Sequence, residues 1–198
     1  MARRALRCGS MIRLAKADDG AAVARIYDPV VARTAISFEL DPPGSAEMRR
    51  RIVAALAFAP WLVEERDGIV RGYAYASKHR ERAAYQWSVD VAVYVDEEHR
   101  RSGIGTTLYE KLFRLLRLQG FYAAHAGVTL PNAASVGLHE SLGFRRVGVY
   151  RAVGYKLGGW HDVGWWQLEL RDRAGEPSPP GSMSEMQGDP RWVDELAR

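Results

Sequence analysis

Apolar and polar positions along the chain follow two periods, which predict an ordered series of strands and helices. Short β-rich runs bounded by turn residues predict strands at 11–14, 61–65, 69–77, 87–95, 123–129, 144–150 and 163–170. Apolar residues at helical spacing predict helices at 18–33, 46–59, 103–119 and 131–142. This order predicts an α/β (α+β layered) domain, in which helices flank a mixed central β-sheet.

Local signals mark the ends of the predicted helices. Asp18, Ser45 and Asn132 are residue types that cap helix N-termini, and each stands just before an apolar-periodic segment. Gly120 follows the third helix and ends it. Pro29 lies inside the first predicted helix and is expected to kink or split it.

Both ends of the chain differ in composition from the part between them. Residues 1–10 hold three Arg and no acidic residue, and we interpret them as a disordered N-terminal extension. Residues 174–190 are rich in Pro, Gly and Ser and have almost no large apolar side chain, so they cannot bury enough surface to fold. The sequence therefore predicts one domain over 11–171 and a flexible C-terminal tail over 172–198.

The charge balance predicts an anionic partner. The 198 residues carry 28 Lys and Arg against 24 Asp and Glu, a net charge of +4. Residues 171–198 have a net charge of −2, which leaves +6 on the first 170 residues. Charge alone does not distinguish nucleic acid, membrane and a phosphorylated cofactor.

The strongest chemical signal is a strand, a turn and the start of the longest amphipathic helix. Residues 100–106 read Arg-Arg-Ser-Gly-Ile-Gly-Thr. Glycines let the backbone approach a ligand closely, and the helix N-terminus offers N–H groups to a pyrophosphate. A dinucleotide fingerprint would need Gly where Leu108 stands, and a P-loop would need Lys after Gly105. An acyl-CoA pyrophosphate loop remains; an ordinary glycine-containing turn with surface arginines is the alternative.

The chain resembles the GNAT superfamily of N-acetyltransferases, and within it the phosphinothricin N-acetyltransferases. The resemblance spans roughly residues 12–170 and rests on residues 100–105 and on the string Gly-Tyr-Lys-Leu-Gly-Gly-Trp-His-Asp-Val-Gly-Trp-Trp at 154–166. Shorter matching motifs lie at 60–63, 72–75, 84–87, 93–95, 130–132, 138–140 and 142–144. The resemblance implies the GNAT fold, in which strands 87–95 and 123–129 part around acetyl-CoA.

The resemblance also implies direct transfer of acetyl from acetyl-CoA to a primary amine within a ternary complex. A main-chain amide of Val91, Ala92 or Val93 would polarise the thioester carbonyl. The residues expected to contact acetyl-CoA are Val93, Tyr94, Val95, Arg100, Arg101, Ser102, Gly103, Ile104, Gly105, Thr106 and Asn132.

Two residues are candidates for proton transfer. Asp90 stands where the phosphinothricin subgroup usually has Glu as general base, and its side chain is one methylene shorter, so a water could carry the proton. His139 stands where many superfamily members have a Tyr that protonates the leaving thiolate, and the subgroup has His there. The alternatives are an outward-facing strand residue for Asp90 and a structural hydrogen bond for His139.

The acceptor is expected to be a small amine that carries a carboxylate. Candidate substrate-binding residues are Phe38, Glu39, Arg80, Arg82 and Tyr85, and each could instead be a solvated or packing residue. Arginine suits a carboxylate because its guanidinium is a planar bidentate donor. A second set is expected mainly to pack the last strands: His161, Asp162, Trp165 and Trp166.

Several other partners are not expected. The five histidines lack metal-ligand spacing, so no metal is predicted. The basic cluster at 49–51 has no interleaved aromatic residue, which argues against nucleic acid. The longest uncharged apolar run, 52–63, is too short to span a membrane. A single cysteine, Cys8, fits the cytoplasm, and the family resemblance implies a homodimer.

The sequence thus favours an N-acetyltransferase that acts on phosphinothricin, methionine sulfoximine, methionine sulfone or a similar amino acid, with a role in resistance to such compounds. Two alternatives stay open. The acceptor could be a protein N-terminus, a lysine or a polyamine. The protein could also be a CoA-binding module without activity, for which the departure at Asp90 is the sole support.

Overall fold

Seven strands form one mixed sheet in the computed structural model, which describes residues 9–198. The order across the sheet is β1-β2-β3-β4-β5-β7-β6, and every neighbouring pair is antiparallel except β4 with β5. The strands are β1 Ser10–Leu14, β2 Trp61–Arg66, β3 Ile69–Lys78, β4 Ser88–Val95, β5 Ala123–Leu130, β6 Arg145–Lys156 and β7 Gly159–Glu169. The predicted α/β layered architecture is confirmed. Residues 1–8 of the predicted N-terminal extension over 1–10 lie outside the described residues, and Ser10 already belongs to β1.

Helices cover both faces of the sheet. They are α1 Gly20–Arg33, α2 Gly44–Leu56, α3 Ile104–Gln119, α4 Ala133–Ser141, α5 Met183–Gly188 and α6 Pro190–Ala197. On one face α1 and α2 pack against a core that includes Trp61, Val63 and Tyr73. On the other face α3 packs against a core that includes Leu62 of β2 and Val89 of β4. Alternate residues of β2 therefore point into two separate cores, as the pleat of a strand requires.

One predicted helix kink and two predicted helix caps differ from the structure. Pro29 does not split α1, because the buried face of the helix, with Val23 and Val31 fully buried, packs onto the sheet and offsets the lost hydrogen bond. Asp19, rather than Asp18, organises the start of this segment, since its carboxylate accepts from the amide of Lys16 and from Arg13. Ser45 is also not a cap: α2 begins one residue earlier without a side-chain cap. Only the Asn132 cap is confirmed among the three predicted caps, because its Oδ1 accepts from the amide of Ser135 at 3.1 Å.

The last hairpin is longer than predicted. The pattern ended the sixth strand at residue 150 and began the seventh at 163, whereas β6 and β7 continue to a tight turn at Leu157 and Gly158. Both turn residues have positive φ, 51° and 80°, which matches the twist of a two-residue hairpin. An irregular register between Tyr150 and Gly154 interrupts the alternation of apolar and polar residues, which is why the pattern failed there.

The structure differs from the prediction of a flexible tail over 172–198, because residues 183–188 and 190–197 form two helices. Helices α5 and α6 pack beside α3, and Met183 and Trp192 join the core on that face. Polar contacts fix the same segment: Lys111 Nζ donates to the carbonyl of Leu196 at 3.1 Å, and Gln119 Nε2 donates to that of Gly181 at 3.0 Å. A few well-placed apolar side chains thus anchor a segment whose average composition is polar.

The strands β4 and β5 part in the middle of the sheet, as the family resemblance implies. Their parallel pairing joins Ser88–Asp90 to residues 123–125. From Val91 onward β4 continues against β3, while β5 continues against β7. Half of the backbone N–H and C=O groups of residues 91–95 therefore face the gap between the two strands, because a strand paired on one edge leaves its other edge free.

Candidate active site

Asp90 occupies the point at which β4 and β5 separate. It is the last β4 residue that pairs with β5, opposite His125, and on the other side it pairs with Ser77 of β3. Its half-buried carboxylate accepts a hydrogen bond from Nδ1 of His79, with 2.7 Å between Oδ1 and Nδ1. Burial raises the pKa of Asp90, and the bond to His79 opposes that rise by stabilising the ionised form.

Aromatic rings surround this pair. The imidazole of His125 stacks on that of His79 with centroids 4.2 Å apart, and the rings of Tyr85 and Trp165 approach edge-on at 5.9 and 6.3 Å. Burial lowers the pKa of His125 to about 4, so this ring is neutral at pH 7. The result is a small polar pair, Asp90 with His79, enclosed by rings at the mouth of the gap.

Two of the three predicted residues between β3 and β4 reach this enclosure. Tyr85 contacts His79, as described above. The guanidinium of Arg80 lies 5.8 Å over the ring of Trp165 and donates to the main-chain carbonyl of His79. Arg82 is exposed at the start of the short turn that carries Tyr85, and the structure does not bring it into the cluster.

The loop at residues 100–106 makes the tight turn into a helix that the sequence predicts. Arg101 and Gly103 have left-handed backbone conformations, with φ of 60° and 85°, which turn the chain sharply into α3. No atom lies within 4 Å of where a Cβ of Gly103 would be, so the space before the helix is open. The amides of the first turn of α3 have no partner within the helix. Arg100, Arg101 and Ser102 are exposed around them.

An ion-pair cluster holds the base of this loop. Asp96 accepts from the amide of Glu98 at 3.3 Å and pairs with Arg25 at 2.7 Å and Arg71 at 3.4 Å. Ligand atoms of Asp96, Glu98 and His99 lie within 4.8 Å of one another, the spacing of a possible cation site. The carboxylate of Asp96 is already engaged by two arginines, so the cluster is better explained as a structural brace. The predicted absence of a metal stays a prediction.

The remaining residues of β4 and α3 that are predicted to contact acetyl-CoA differ in where their side chains lie. Val93 and Val95 are half-buried and lie beside Gly105, with Val95 Cγ2 3.8 Å from the position of an added Cβ. Tyr94 points to the opposite face of the sheet, where its ring contacts Tyr27. Ile104 is buried in the core, and Thr106 is half-buried at the helix start.

His139 is engaged on both sides of its ring. Nδ1 lies 2.7 Å from the carbonyl oxygen of Ser135, which can only accept, so Nδ1 carries the proton. Nε2 then accepts from the hydroxyl of Tyr109 at 3.1 Å. The residue is 4% exposed, and burial lowers its pKa. This geometry favours the structural alternative over a proton donor for the leaving thiolate.

The loop between α1 and α2 carries Phe38 and Glu39, the other two predicted substrate-binding residues. Glu39 accepts from Arg51 at 2.7 Å and from the hydroxyl of Tyr27 at 2.8 Å, and these bonds lower its pKa. The ring of Phe38 occupies the space beside Gly154 of β6, where a Cβ would collide with it. Phe38 is thus exposed to solvent on one side while its ring lies against the backbone of β6, and Glu39 is held by hydrogen bonds.

Lys156 clamps this α1–α2 loop from the last hairpin. Lys156 is 4% exposed, and its ammonium group donates to the main-chain carbonyls of Val31 at 2.6 Å and Ser37 at 2.7 Å. Burial lowers its pKa. The string at 154–166 therefore includes a lysine that ties the hairpin to the loop that carries Phe38.

Replacing Lys156 with Met is expected to loosen the α1–α2 loop, because two buried carbonyls lose their donor at a cost of about 1–3 kcal/mol each. The KM for the amine acceptor should rise while the KM for acetyl-CoA stays unchanged, as measured by steady-state kinetics in each substrate. Lys16→Met, at an exposed position, is the control. Equal changes in both KM values would contradict a local role.

Pattern reasoning missed His79, His125, Lys156 and Gly154 as site residues. The motif string contained Gly154 and Lys156, but their contacts with residues 31–38 join distant parts of the chain. His79 directly precedes Arg80, and the register of β3 against β4 is the signal that could have placed it next to Asp90. The predicted packing role of Trp166 fits its buried position and its bond from Nε1 to Glu140.

Comparison with known proteins decides the family. Residues 31–144 match the model of the Acetyltransferase (GNAT) family. The chain belongs to the GNAT acetyltransferase family. It is 42% identical over 169 residues to a phosphinothricin N-acetyltransferase from Streptomyces viridochromogenes, covering 85% of this chain and 90% of that protein. This acetyltransferase therefore has the predicted fold and the predicted enzyme class.

Two further similarities support this assignment of the acetyltransferase. A methionine sulfoximine and methionine sulfone acetyltransferase from Salmonella typhimurium is 35% identical, covering 82% of this chain and 96% of that protein. The crystal structure of a phosphinothricin acetyltransferase from Sinorhizobium meliloti in complex with acetyl-CoA superposes with a TM-score of 0.82 at 33% identity. That alignment covers 85% of this chain and 93% of the other.

Proposed function

We propose that the protein transfers the acetyl group of acetyl-CoA to the primary amine of a small amino-acid-like acceptor such as phosphinothricin or methionine sulfoximine. One observation carries the proposal: Asp90, hydrogen-bonded to His79, stands where β4 and β5 part, and β4 leads from Asp90 into the open loop at 100–106. The names of the relatives described above support this acceptor class.

The loop at 100–106 fits the pyrophosphate of acetyl-CoA. Its left-handed turn leaves open space in front of the amides of α3, and Arg100 and Arg101 are exposed beside that space. Backbone groups of residues 91–95 face the gap and suit the amide groups of the pantetheine arm. When bound, acetyl-CoA supplies a thioester, and a main-chain amide of Val91, Ala92 or Val93 would donate to its carbonyl oxygen.

The acceptor side of the site suits a small anionic amine. The rings of Tyr85 and Trp165 enclose the Asp90–His79 pair, and the guanidinium of Arg80 lies over Trp165, where it can meet a carboxylate. Phe38 and Glu39 stand on the loop that Lys156 clamps. We propose that Asp90 is the carboxylate on which removal of the amine proton depends.

A panel of amines tests the proposed function. Thiol release from acetyl-CoA is measured with phosphinothricin, methionine sulfoximine, methionine sulfone, the common amino acids, polyamines and short peptides. We expect turnover on at least one free amino-acid analogue. Higher kcat/KM on peptides or polyamines would replace the acceptor class, and acetyl-CoA binding without turnover on any amine would favour a non-catalytic CoA-binding module.

Removing the two exposed arginines is expected to weaken acetyl-CoA binding. In the double variant Arg100→Ala with Arg101→Ala, the KM for acetyl-CoA should rise by about tenfold, with little change in kcat, because these contacts act in binding rather than in the chemical step. The difference from wild type should shrink at high salt. Arg49→Ala with Arg50→Ala, two exposed arginines on α2, is the matched control and should leave this KM unchanged.

We further propose that the protein is a homodimer that pairs through the hairpin of β6 and β7. Strand β6 is at the edge of the sheet and the hairpin exposes a set of large apolar side chains, at 49–67% of their full area: Val147, Tyr150, Val153, Tyr155, Leu157 and Trp160. An exposed apolar edge strand commonly marks an interface. A second copy would cover it.

The dimer proposal has a direct test. Light scattering after size exclusion should give about twice the 22.1 kDa of one chain. Tyr155→Asp with Trp160→Asp should give a monomer, because two charges cannot be buried unpaired in an interface. Val53→Asp, at an exposed position on α2, should stay dimeric. A monomeric wild type would end this proposal.

The other predicted properties of the protein stay proposals. No helix within residues 9–198 is long and apolar enough to cross a membrane. A cytoplasmic location, the absence of nucleic-acid and membrane partners, and a role in resistance to amino-acid analogues rest on the sequence and on the family.

A further inference from the structure

The feature that carries a further inference is the side chain of His79. It follows the last residue of β3, and its Nδ1 lies 2.7 Å from Oδ1 of Asp90. Its ring is held on its other sides by stacking on His125 and by the edges of Tyr85 and Trp165. The imidazole therefore has one orientation, between the carboxylate at the parting strands and the residues proposed to bind the acceptor.

The bond to Asp90 determines which nitrogen of His79 carries the proton. An ionised carboxylate can only accept hydrogen bonds, so Nδ1 is the donor and Nε2 keeps its lone pair. Within residues 9–198 no hydrogen bond engages Nε2, whereas in His139 both ring nitrogens are engaged. His79 is thus an oriented imidazole with a free basic nitrogen.

We propose that Nε2 of His79 accepts the proton from the ammonium group of the acceptor, while Asp90 holds the ring in the required tautomer and stabilises the imidazolium. The pair then acts as the carboxylate–imidazole part of a catalytic triad does, with the acceptor amine as the nucleophile. This inference rests on the proposed function and assigns the proton-accepting atom within it.

The proton and electron movements balance. One proton passes from R–NH₃⁺ to Nε2 of His79, and the nitrogen lone pair then forms the C–N bond with the acetyl carbon. The C–S bond of the thioester breaks, and its electron pair leaves on the sulfur of CoA. The second proton of the amine goes to that thiolate, and the imidazolium of His79 returns its proton to water.

The surroundings of His79 suit this role better than direct proton transfer to Asp90. An efficient general base has a pKa near the working pH, which an imidazole has and an ordinary carboxylate has not. The charged groups that face the ring are Asp90, which bonds Nδ1, and Arg80, whose guanidinium donates to the main-chain carbonyl of His79. His125 is neutral and adds no charge, and Tyr85 presents a ring edge.

Two substitutions at one position test the proposal. His79→Asn keeps a donor near the position of Nδ1 and removes Nε2, whereas His79→Ala removes both. We expect each to lower kcat by about 10²-fold or more, to abolish the acidic limb of the pH profile of kcat/KM, and to leave the Kd for acetyl-CoA unchanged. Added imidazole should restore activity to His79→Ala. Activity of His79→Asn within about threefold of wild type, with its acidic limb retained, would show that His79 only positions Asp90 and would overturn the proposal.

A second measurement needs neither an acceptor nor a variant enzyme that is active. Long-range proton–nitrogen NMR of wild-type protein labelled with ¹⁵N-histidine reports the tautomer of each ring, and the signals lost in His79→Asn assign residue 79. We expect the Nδ1–H tautomer for His79. The Nε2–H tautomer would overturn the proposal even if acetyl transfer is confirmed, whereas an inactive amine panel with the Nδ1–H tautomer would count against the proposed function alone.

Discussion

Asp90→Ala is expected to lower kcat for acetyl transfer by about 10²–10⁴-fold, the usual share of general acid–base catalysis. The loss follows whether the carboxylate takes the proton itself or holds His79, because both routes need a negative charge at the point where β4 and β5 part. The KM for acetyl-CoA should stay unchanged, since the side chain of Asp90 is not among the proposed CoA contacts. Steady-state kinetics with the best amine of the panel measures both constants.

The loss of activity in variants of Asp90 should not reflect unfolding, and Asp90→Asn tests this. Burial raises the pKa of Asp90, so the folded protein favours the neutral carboxyl, and ionisation at neutral pH costs stability. Asp90→Asn removes that cost and should have a Tm equal to or above that of wild type at pH 7, while it loses most of the activity. Below the pKa of the unfolded carboxyl this advantage should vanish.

Asp18→Asn is the control for the Asp90 variants, because the Asp18 side chain is 87% exposed and far from the sheet centre. Its kcat should equal that of wild type. A loss below about threefold in Asp90→Ala would show that proton removal depends on another group. The non-catalytic alternative predicts the same negligible turnover in wild type and variant.

The parts of the site that the sequence predicts are those carried by local pattern. The turn at Gly103, the start of α3 and the cap at Asn132 each depend on a few consecutive residues, and the structure has them where they were expected. The parting of β4 from β5 came from the family resemblance, since no periodicity indicates where parallel pairing stops.

The parts that the sequence does not predict depend on distant contacts. His79 meets Asp90 through the register of β3 on β4, and Lys156 meets residue 37 across more than a hundred residues. The sequence also does not show the hydrogen bonds of His139. Its position in the motif suggested a proton-transfer role, whereas in the structure Ser135 and Tyr109 engage both of its ring nitrogens.

The C-terminal segment shows why composition is a poor guide to order. Its local signals were present: Ser182 and Glu185 form a reciprocal capping box, and Asp189 followed by Pro190 begins α6. The average composition of residues 174–190 does not reveal that the segment folds, because Trp192 lies just beyond residue 190. The stabilisation comes from that side chain, which fits beside α3, the helix that presents the proposed phosphate-binding turn.

Trp192→Ala is accordingly expected to destabilise the protein by about 3–5 kcal/mol, the cost of removing a large, fully buried aromatic side chain. For a chain of this length the Tm should fall by roughly 6–20 °C, as measured by calorimetry or circular dichroism.

Trp192→Phe should cost far less, because it keeps most of the apolar area, and Nε1 of Trp192 has no hydrogen-bond partner within residues 9–198. Val193→Ala, half-exposed on the same helix, is the matched control and should change stability by less than about 0.5 kcal/mol. If Trp192→Ala has the same Tm as the wild type, the segment over 172–198 does not pack against α3 in solution, and the prediction of a flexible tail would be correct.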